Sequence, residues 1–167
     1  MNKVKVYTDG ACSNNPGPGG WGVVFTGTEE PKVLSGFKPK TTNNKMELRA
    51  VVEAMNYIVC NRSDFENVDV EIYSDSAYVV NAINNKWVDT WKKNKWKTSK
   101  GSAVKNKGLW ELYIALNEKL NRFGINFIII KVKGHSGDTY NEYVDGVAKN
   151  EVNNARLYIA TKMGGDI

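Results

Sequence analysis

VKVYTDGA (residues 4–11) and VEIYSDSA (residues 70–77) can be laid one on the other: valine, charged residue, aliphatic, tyrosine, hydroxyl, aspartate, small residue, alanine. Both alternate as strands do, so Asp9 shares a face with Lys5 and Tyr7, opposite Val4, Val6 and Thr8. Asp75 repeats that parity with Glu71 and Tyr73. If the two strands are parallel neighbours, the octets pair in register. Lys5 then faces Glu71, and Asp9 faces Asp75 at the C-terminal edge of the sheet, where α/β proteins bind ligands. Two carboxylates about 4 Å apart repel by roughly 4 kcal/mol at an effective dielectric near 20. Either one is protonated or a cation lies between them, and oxygen ligands suit a divalent metal. The competing reading is that each aspartate merely caps the turn after its strand.

The rest of the chain builds a frame around these strands. KVKVYTDG is followed by the turn-rich ACSNNPGPGG, then by WGVVFTG as a second strand and KVLSGF as a third after Pro31. Thr41, Thr42, Asn43 and Asn44 offer N-caps to a helix with Leu48, Val51, Val52, Met55, Ile58 and Val59 on one face. A short helix is expected from Ala77 to about Asn84, and another along Leu109, Leu112, Tyr113, Leu116, Leu120 and Phe123, stopped by Gly124. INFIIIKVKG is the most apolar strand and reads as buried on both faces. A last helix carries Val144, Val147, Ala148 and Val152. Short links make the first three strands an antiparallel meander, and helical crossovers add the fourth and fifth in parallel. A catalytic domain over residues 1–155 and a loose tail over 156–167 are expected.

The chain has 167 residues, 41% hydrophobic and 25% charged, which suits one globular domain. No apolar run approaches a membrane span, and a strand begins almost at the N-terminus, so a cytoplasmic protein with free Cys12 and Cys60 is expected. The net charge of +5 is local. WVDTWKKNKWKTSKGSAVKNKGLW (residues 87–110) holds seven lysines, four of the five tryptophans and one acid, Asp89. Without those lysines the chain is slightly negative. A basic, tryptophan-rich segment fits a polyanionic partner, or else a solvated helix with core tryptophans.

Glu47 and Asp145 read as first-turn acids of helices that could reach the Asp9–Asp75 edge. Alone, such acids are explained by the helix dipole; four together point to a metal site. The only histidine, His135, lies in Gly-His-Ser-Gly after the apolar strand, a setting that suits a proton carrier. A single histidine argues against metal-free RNA cleavage through the 2′-OH by a pair of such groups.

DGACSNNPGPGGWG, TTNNKMEL, YSDSAYVV, WKKNKWKT…VKNKGLW and KGHSG…NEYVDGVA, in this order and spacing, resemble ribonuclease H of the bacterial type 1 class, from about residue 3 to 154. The resemblance implies an α/β fold with a five-stranded mixed sheet of order 3-2-1-4-5 flanked by helices. It implies an endonuclease that hydrolyses the RNA strand of RNA/DNA hybrids as a monomer, leaving 5′-phosphate and 3′-hydroxyl ends. Asp9, Glu47, Asp75 and Asp145 would bind two Mg²⁺, with Mn²⁺ able to substitute. One ion would activate water and the other stabilise the leaving oxygen. His135 would assist proton transfer or product release.

The family's groove contacts map onto Cys12, Asn14, Asn15, Asn43, Asn44 and Glu47, which would sense the 2′-OH. Its phosphate pocket for the DNA strand maps onto Lys40, Thr42 and Asn106, with Lys40 where some members have arginine. The basic segment corresponds to the family's handle: Lys92, Lys93, Lys95 and Lys97 would meet phosphates, and Trp87 and Trp110 would pack on the DNA strand. Trp91 and Trp96 read as core. Ala77 stands where other members carry a polar residue. With no separate hybrid-binding module expected, processivity would rest on the handle. The alternatives are a non-catalytic hybrid- or duplex-binding module, which gains nothing from acids facing phosphates, and an aspartyl-phosphate hydrolase, which would want a second aspartate at the position of Ala11.

Overall fold

A computed structural model describes residues 2–27, 30–133 and 139–163. Five strands, β1 (Asn2–Cys12), β2 (Gly17–Phe25), β3 (Lys32–Thr41), β4 (Val68–Ser74) and β5 (Phe127–Lys131), form one sheet in the order β3-β2-β1-β4-β5. β1 pairs antiparallel to β2, and β2 to β3; β4 and β5 add in parallel. The helices are α1 (Asn43–Cys60), α2 (Ala77–Asn84), α3 (Trp87–Lys93), α4 (Lys107–Arg122) and α5 (Thr139–Met163). None is long and apolar enough to cross a membrane.

The octets pair as their parity requires. Lys5 is the partner of Glu71, and Tyr7 of Tyr73. The two tyrosine rings stack with centroids 5.0 Å apart and planes 14° from parallel. Glu71 draws its cation from the diagonal position: Lys3 Nζ lies 3.6 Å from Glu71 Oε1, while Lys5 Nζ sits over the Tyr73 ring at 5.9 Å.

Alternation sends Val6 and Ile72 to one face, where they join Leu48, Val51, Met55 and Ile58 of α1 and Leu116 and Leu120 of α4 in the main core. The α1 start is fixed by Thr42, whose Oγ1 accepts from the Lys45 N–H at 3.2 Å. Tyr7 and Val24 point to the opposite face and pack with Val144 of α5 in a second, smaller core. Two glycines set how closely the helices approach. A Cβ on Gly10 would lie 2.3 Å from Glu47 N, and one on Gly20 would lie 2.6 Å from Ala148 O. Bare backbone at these positions lets α1 and α5 close on the sheet from either side.

Several expectations need correction. β5 is an edge strand, and Ile128 is 57% exposed, so the apolar run is not covered on both faces. Glu47 lies in the second turn of α1, and Asp145 in the second turn of α5, which begins at Thr139. Residues 156–163 continue α5 as helix, so the loose tail expected from 156 does not begin there. Both cysteines are free thiols.

Gly10→Ala forces backbone apart at the β1–α1 contact, so it should cost about 1–3 kcal/mol, the scale of overpacking. Thermal unfolding measures this; an unchanged Tm would contradict the close approach.

Candidate active site

The parallel pairing of β1 and β4 brings Asp9 and Asp75 to the same edge, and the close approach at Gly10 adds Glu47. One carboxylate oxygen from each lies within 4.8 Å of those of the other two. Asp9 and Glu47 are buried and Asp75 partly so. From the other side α5 supplies Asp145. It lines a small cavity of about 40 Å³ with Asp9, Asp75, Asn141 and Glu142. The four expected acids thus converge, three as a tight cluster and the fourth across the cavity. His135 lies outside the described residues. The sequence reading did not single out Asn141 and Glu142; their only signal was a place one helical turn before Asp145.

Hydrogen bonding does little to neutralise the cluster. The Gly10 N–H donates to Asp9 Oδ1 at 2.9 Å and also eases Glu47, but among the described residues Glu47 Oε2 is buried with no hydrogen-bond partner. Lys149 Nζ reaches Asp145 Oδ2 at 2.8 Å from one turn along α5. Burial first, and Asp75 second, push the Asp9 carboxyl up from 3.8 to about 7. Burial, then Asp9 and Asp75, raise Glu47 well above the ordinary carboxylate range. A donorless buried carboxylate oxygen beside two further carboxylates is a coordination shell for a hard divalent cation.

Some of the residues expected to contact substrate line a common groove. Asn15, Thr42, Asn43, Asn44 and Asn106 line one groove of about 600 Å³ with Pro16, Lys45 and Lys105. Asn15 Oδ1 accepts from the Asn43 N–H at 3.1 Å, tying the β1–β2 loop to the start of α1. Asn14 is exposed. The Cys12 thiol donates to Thr41 O at 3.3 Å, and burial raises its pKa. Lys40 is exposed and lines an adjacent groove that Asn106 also borders.

In the basic segment, Lys92, Lys93, Lys95 and Lys97 are all exposed. Trp87, 40% exposed, can meet a partner. Trp110 cannot, which corrects the expectation that it packs on a nucleic-acid strand. It is 0% exposed, ringed by Tyr78, Trp91 and Tyr113, and its indole N–H donates to Tyr78 Oη at 2.9 Å. Asn106 Nδ2 donates to the same hydroxyl at 3.1 Å, so the buried tryptophan helps set the groove asparagine. Trp91 and Trp96 pack against the main core, as expected. Arg156 was not anticipated: its Nη2 donates to Ser13 Oγ at 2.6 Å and braces the β1–β2 loop from the far end of α5.

Three clustered acids at the C-terminal edge of the central strands of a mixed sheet make a site that could hold a metal ion. The RNase H family model matches residues 1–153, and the chain belongs to that family. Ribonuclease H of Caldicellulosiruptor saccharolyticus is 46% identical over 156 residues, covering 93% of this chain and 100% of the relative. Ribonuclease H of Clostridium botulinum (strain Hall) is 48% identical over 151 residues, covering 89% and 94%. The fold also matches the crystal structure of LC9-RNase H1, a type 1 RNase H with the type 2 active-site motif. There the TM-score is 0.74 at 28% identity, over 93% of this chain and 74% of that one. LC11-RNase H1, solved in complex with an RNA/DNA hybrid, shares the fold at a TM-score of 0.67 and 21% identity, over 91% and 98% of the two chains. The family generally uses divalent metal ions, and the Asp9–Glu47–Asp75 cluster can hold one.

The raised carboxyls make the metal-free fold pH-sensitive. A group whose folded pKa exceeds its unfolded value stabilises the fold below the unfolded pKa and loses that contribution as pH rises through the folded one. For Asp9 that window runs from 3.8 to about 7. In EDTA, the Tm of wild type should therefore fall relative to Asp9→Asn across it, at about 2–4 °C per kcal/mol for a chain of this size. Adding Mg²⁺ should shrink the gap. Parallel Tm–pH curves for the two proteins in EDTA would exclude the shift.

Proposed function

We propose that this chain is an endonuclease that hydrolyses the RNA strand of RNA/DNA hybrids, leaving 5′-phosphate and 3′-hydroxyl ends. The observation that carries this reading is the buried Asp9–Glu47–Asp75 cluster facing Asp145. A module that only bound a duplex would be weakened by such a cluster, because it repels phosphates. Ribonuclease H relatives that the chain matches over nearly their full length support the same activity.

Asp9, Glu47, Asp75 and Asp145 would hold two Mg²⁺, for which Mn²⁺ can substitute. When bound, such ions lower the pKa of water and neutralise charge on the phosphate and the leaving oxygen. The protein's own part is placement. Asp9 and Asp75 are fixed by the β1–β4 register, Glu47 by the α1 approach, and Asp145 by α5 with Lys149 at its side. His135 is the group we assign to proton transfer or product release.

Choice of a hybrid falls to Asn14, Asn15, Asn43 and Asn44, with the Cys12 backbone and Glu47 beside them. An amide can both donate to and accept from a 2′-hydroxyl. The Asn15 carbonyl is held by Asn43 N–H, which leaves its NH₂ as the donor half. Lys40, Thr42 and Asn106 would take a phosphate of the DNA strand. Lys92, Lys93, Lys95 and Lys97 would contact the backbone without reading sequence, and Trp87 would offer a flat face to a sugar or base.

End-labelled RNA/DNA, RNA/RNA and DNA/DNA duplexes test the reading. The RNA strand of the hybrid should be cut with Mg²⁺ and left intact with EDTA, and the other duplexes should survive. Asp9→Asn should lose roughly a thousandfold or more in rate, the scale of removing a group the reaction depends on, while still binding hybrid when Mg²⁺ is present. Full cleavage in EDTA, or full turnover by that variant, refutes the mechanism.

Replacing Lys92, Lys93, Lys95 and Lys97 by alanine should raise KM more than it lowers kcat. It should also flatten the dependence of log affinity on log salt by about 0.7–0.9 per lost phosphate contact. An unchanged salt slope would remove the handle from substrate binding.

A further inference from the structure

A second basic groove adjoins the asparagine-lined one, and the roles already given to Lys40 and Asn106 leave its Lys38, Lys45 and Arg49 unassigned. It encloses about 350 Å³ and is lined by Lys38 and Lys40 of β3, Lys45 and Arg49 of α1, and the start of α4 at Asn106, Gly108 and Leu109. Four of its lining residues are cations and none is an acid. Among the described residues, Lys38, Lys40 and Lys45 have no carboxylate within ion-pair distance. Arg49 has Glu53, one turn away on α1, at 2.9 Å from its Nε, though off the hydrogen-bond direction. Glu53 does not line the groove.

This clustering is built by secondary structure rather than by chance proximity of long side chains. Lys38 and Lys40 come from the end of β3 beside an irregularity in its pairing with β2 and both line the groove; Lys45 and Arg49 are four apart on one helix and share a stripe. The α4 end adds no negative charge. Asn106 gives that helix no side-chain cap, and at Gly108 a Cβ would meet nothing within 4 Å. The positive end of α4 thus borders the groove at Gly108, where there is open space.

Lys45 and Asn106 line both grooves, so the two adjoin. Lys38 and Arg49 share their groove with Lys40 and Asn106, within the same cationic lining. We propose that the Lys38–Arg49 groove is a second phosphate subsite for the DNA strand of the hybrid, adjacent to the Lys40–Thr42–Asn106 subsite. This rests on the proposed function. It assigns two consecutive backbone phosphates of the uncut strand to this face, and none to the cut strand.

The test uses the full chain carrying Asp9→Asn with Mg²⁺, so that hybrid is bound and not cut. Lys38→Gln with Arg49→Gln should lower the salt slope of hybrid binding by roughly 1–2, at about 0.9 per contact. A walk of single neutral methylphosphonates along the DNA strand should show two adjacent sensitive positions in the parent protein. One should disappear in Lys38→Gln/Arg49→Gln, and the other in Thr42→Ala. Arg49→Lys with Lys38→Arg should restore the slope. If the double variant unfolds, Lys38→Gln alone should lose about half the slope change, since Lys38 is an exposed strand residue. The subsite is overturned if the slope and the methylphosphonate profile do not change, or if only methylphosphonates in the RNA strand register. Wild type that cleaves hybrid normally while the profile is unchanged removes the subsite alone. Wild type that neither binds nor cleaves hybrid removes the proposed function itself.

Discussion

Mutual repulsion of buried carboxylates is the constraint around which this molecule is organised. Asp9, Glu47 and Asp75 are held within 4.8 Å by backbone, with the Gly10 amide easing Asp9 and Glu47 and, among the described residues, no hydrogen bond for Glu47 Oε2. Such an arrangement opposes folding. It persists because the register of β1 on β4 and the packing of α1 leave the side chains nowhere else to go. The hydrophobic ladder below them, Val6 and Ile72 on one face and stacked Tyr7 and Tyr73 on the other, supplies the rigidity. A divalent ion converts the same geometry from a strain into a bond set, which is why the cluster reads as a site and not as a defect.

Much of this was legible in the residues because it depends on short-range rules. Two octets of identical pattern give register and parity, and parity places both aspartates on one edge. Thr42 at a helix start and the spacing from Leu48 to Ile58 locate α1. What escaped depends on context that one segment does not carry. Apolarity alone cannot distinguish an edge strand from a central one, so β5 with its exposed Ile128 was read as doubly covered. Helix starts were placed a turn too late for α5, and Glu47 a turn too early in α1. The acids therefore reach the site from second turns, where the dipole explanation for them weakens. Arg156 meets Ser13 across 143 positions of sequence, and no local pattern announces it.

The tryptophans of the basic segment show how one composition serves two physical ends. Trp110, Trp91 and Trp96 belong to the core or its margin and anchor the basic segment, while Trp87, Lys92, Lys93, Lys95 and Lys97 are exposed. The sequence offers the same letter in each case. On α4, Trp110 shares the buried face of Tyr113, Leu116 and Leu120, while Trp87 lies at the exposed start of α3. Charge and packing are thus divided by position and not by residue type.

One helix carries both Asp145, which borders the acid cavity, and Arg156, which grips the loop leading to Asn14 and Asn15. Eleven residues of continuous helix separate them, about 16 Å at 1.5 Å per residue. α5 thereby acts as a gauge bar. It fixes the span between the acid cavity and the β1–β2 loop, and any slippage of the bar along the sheet would shift both ends in the same direction.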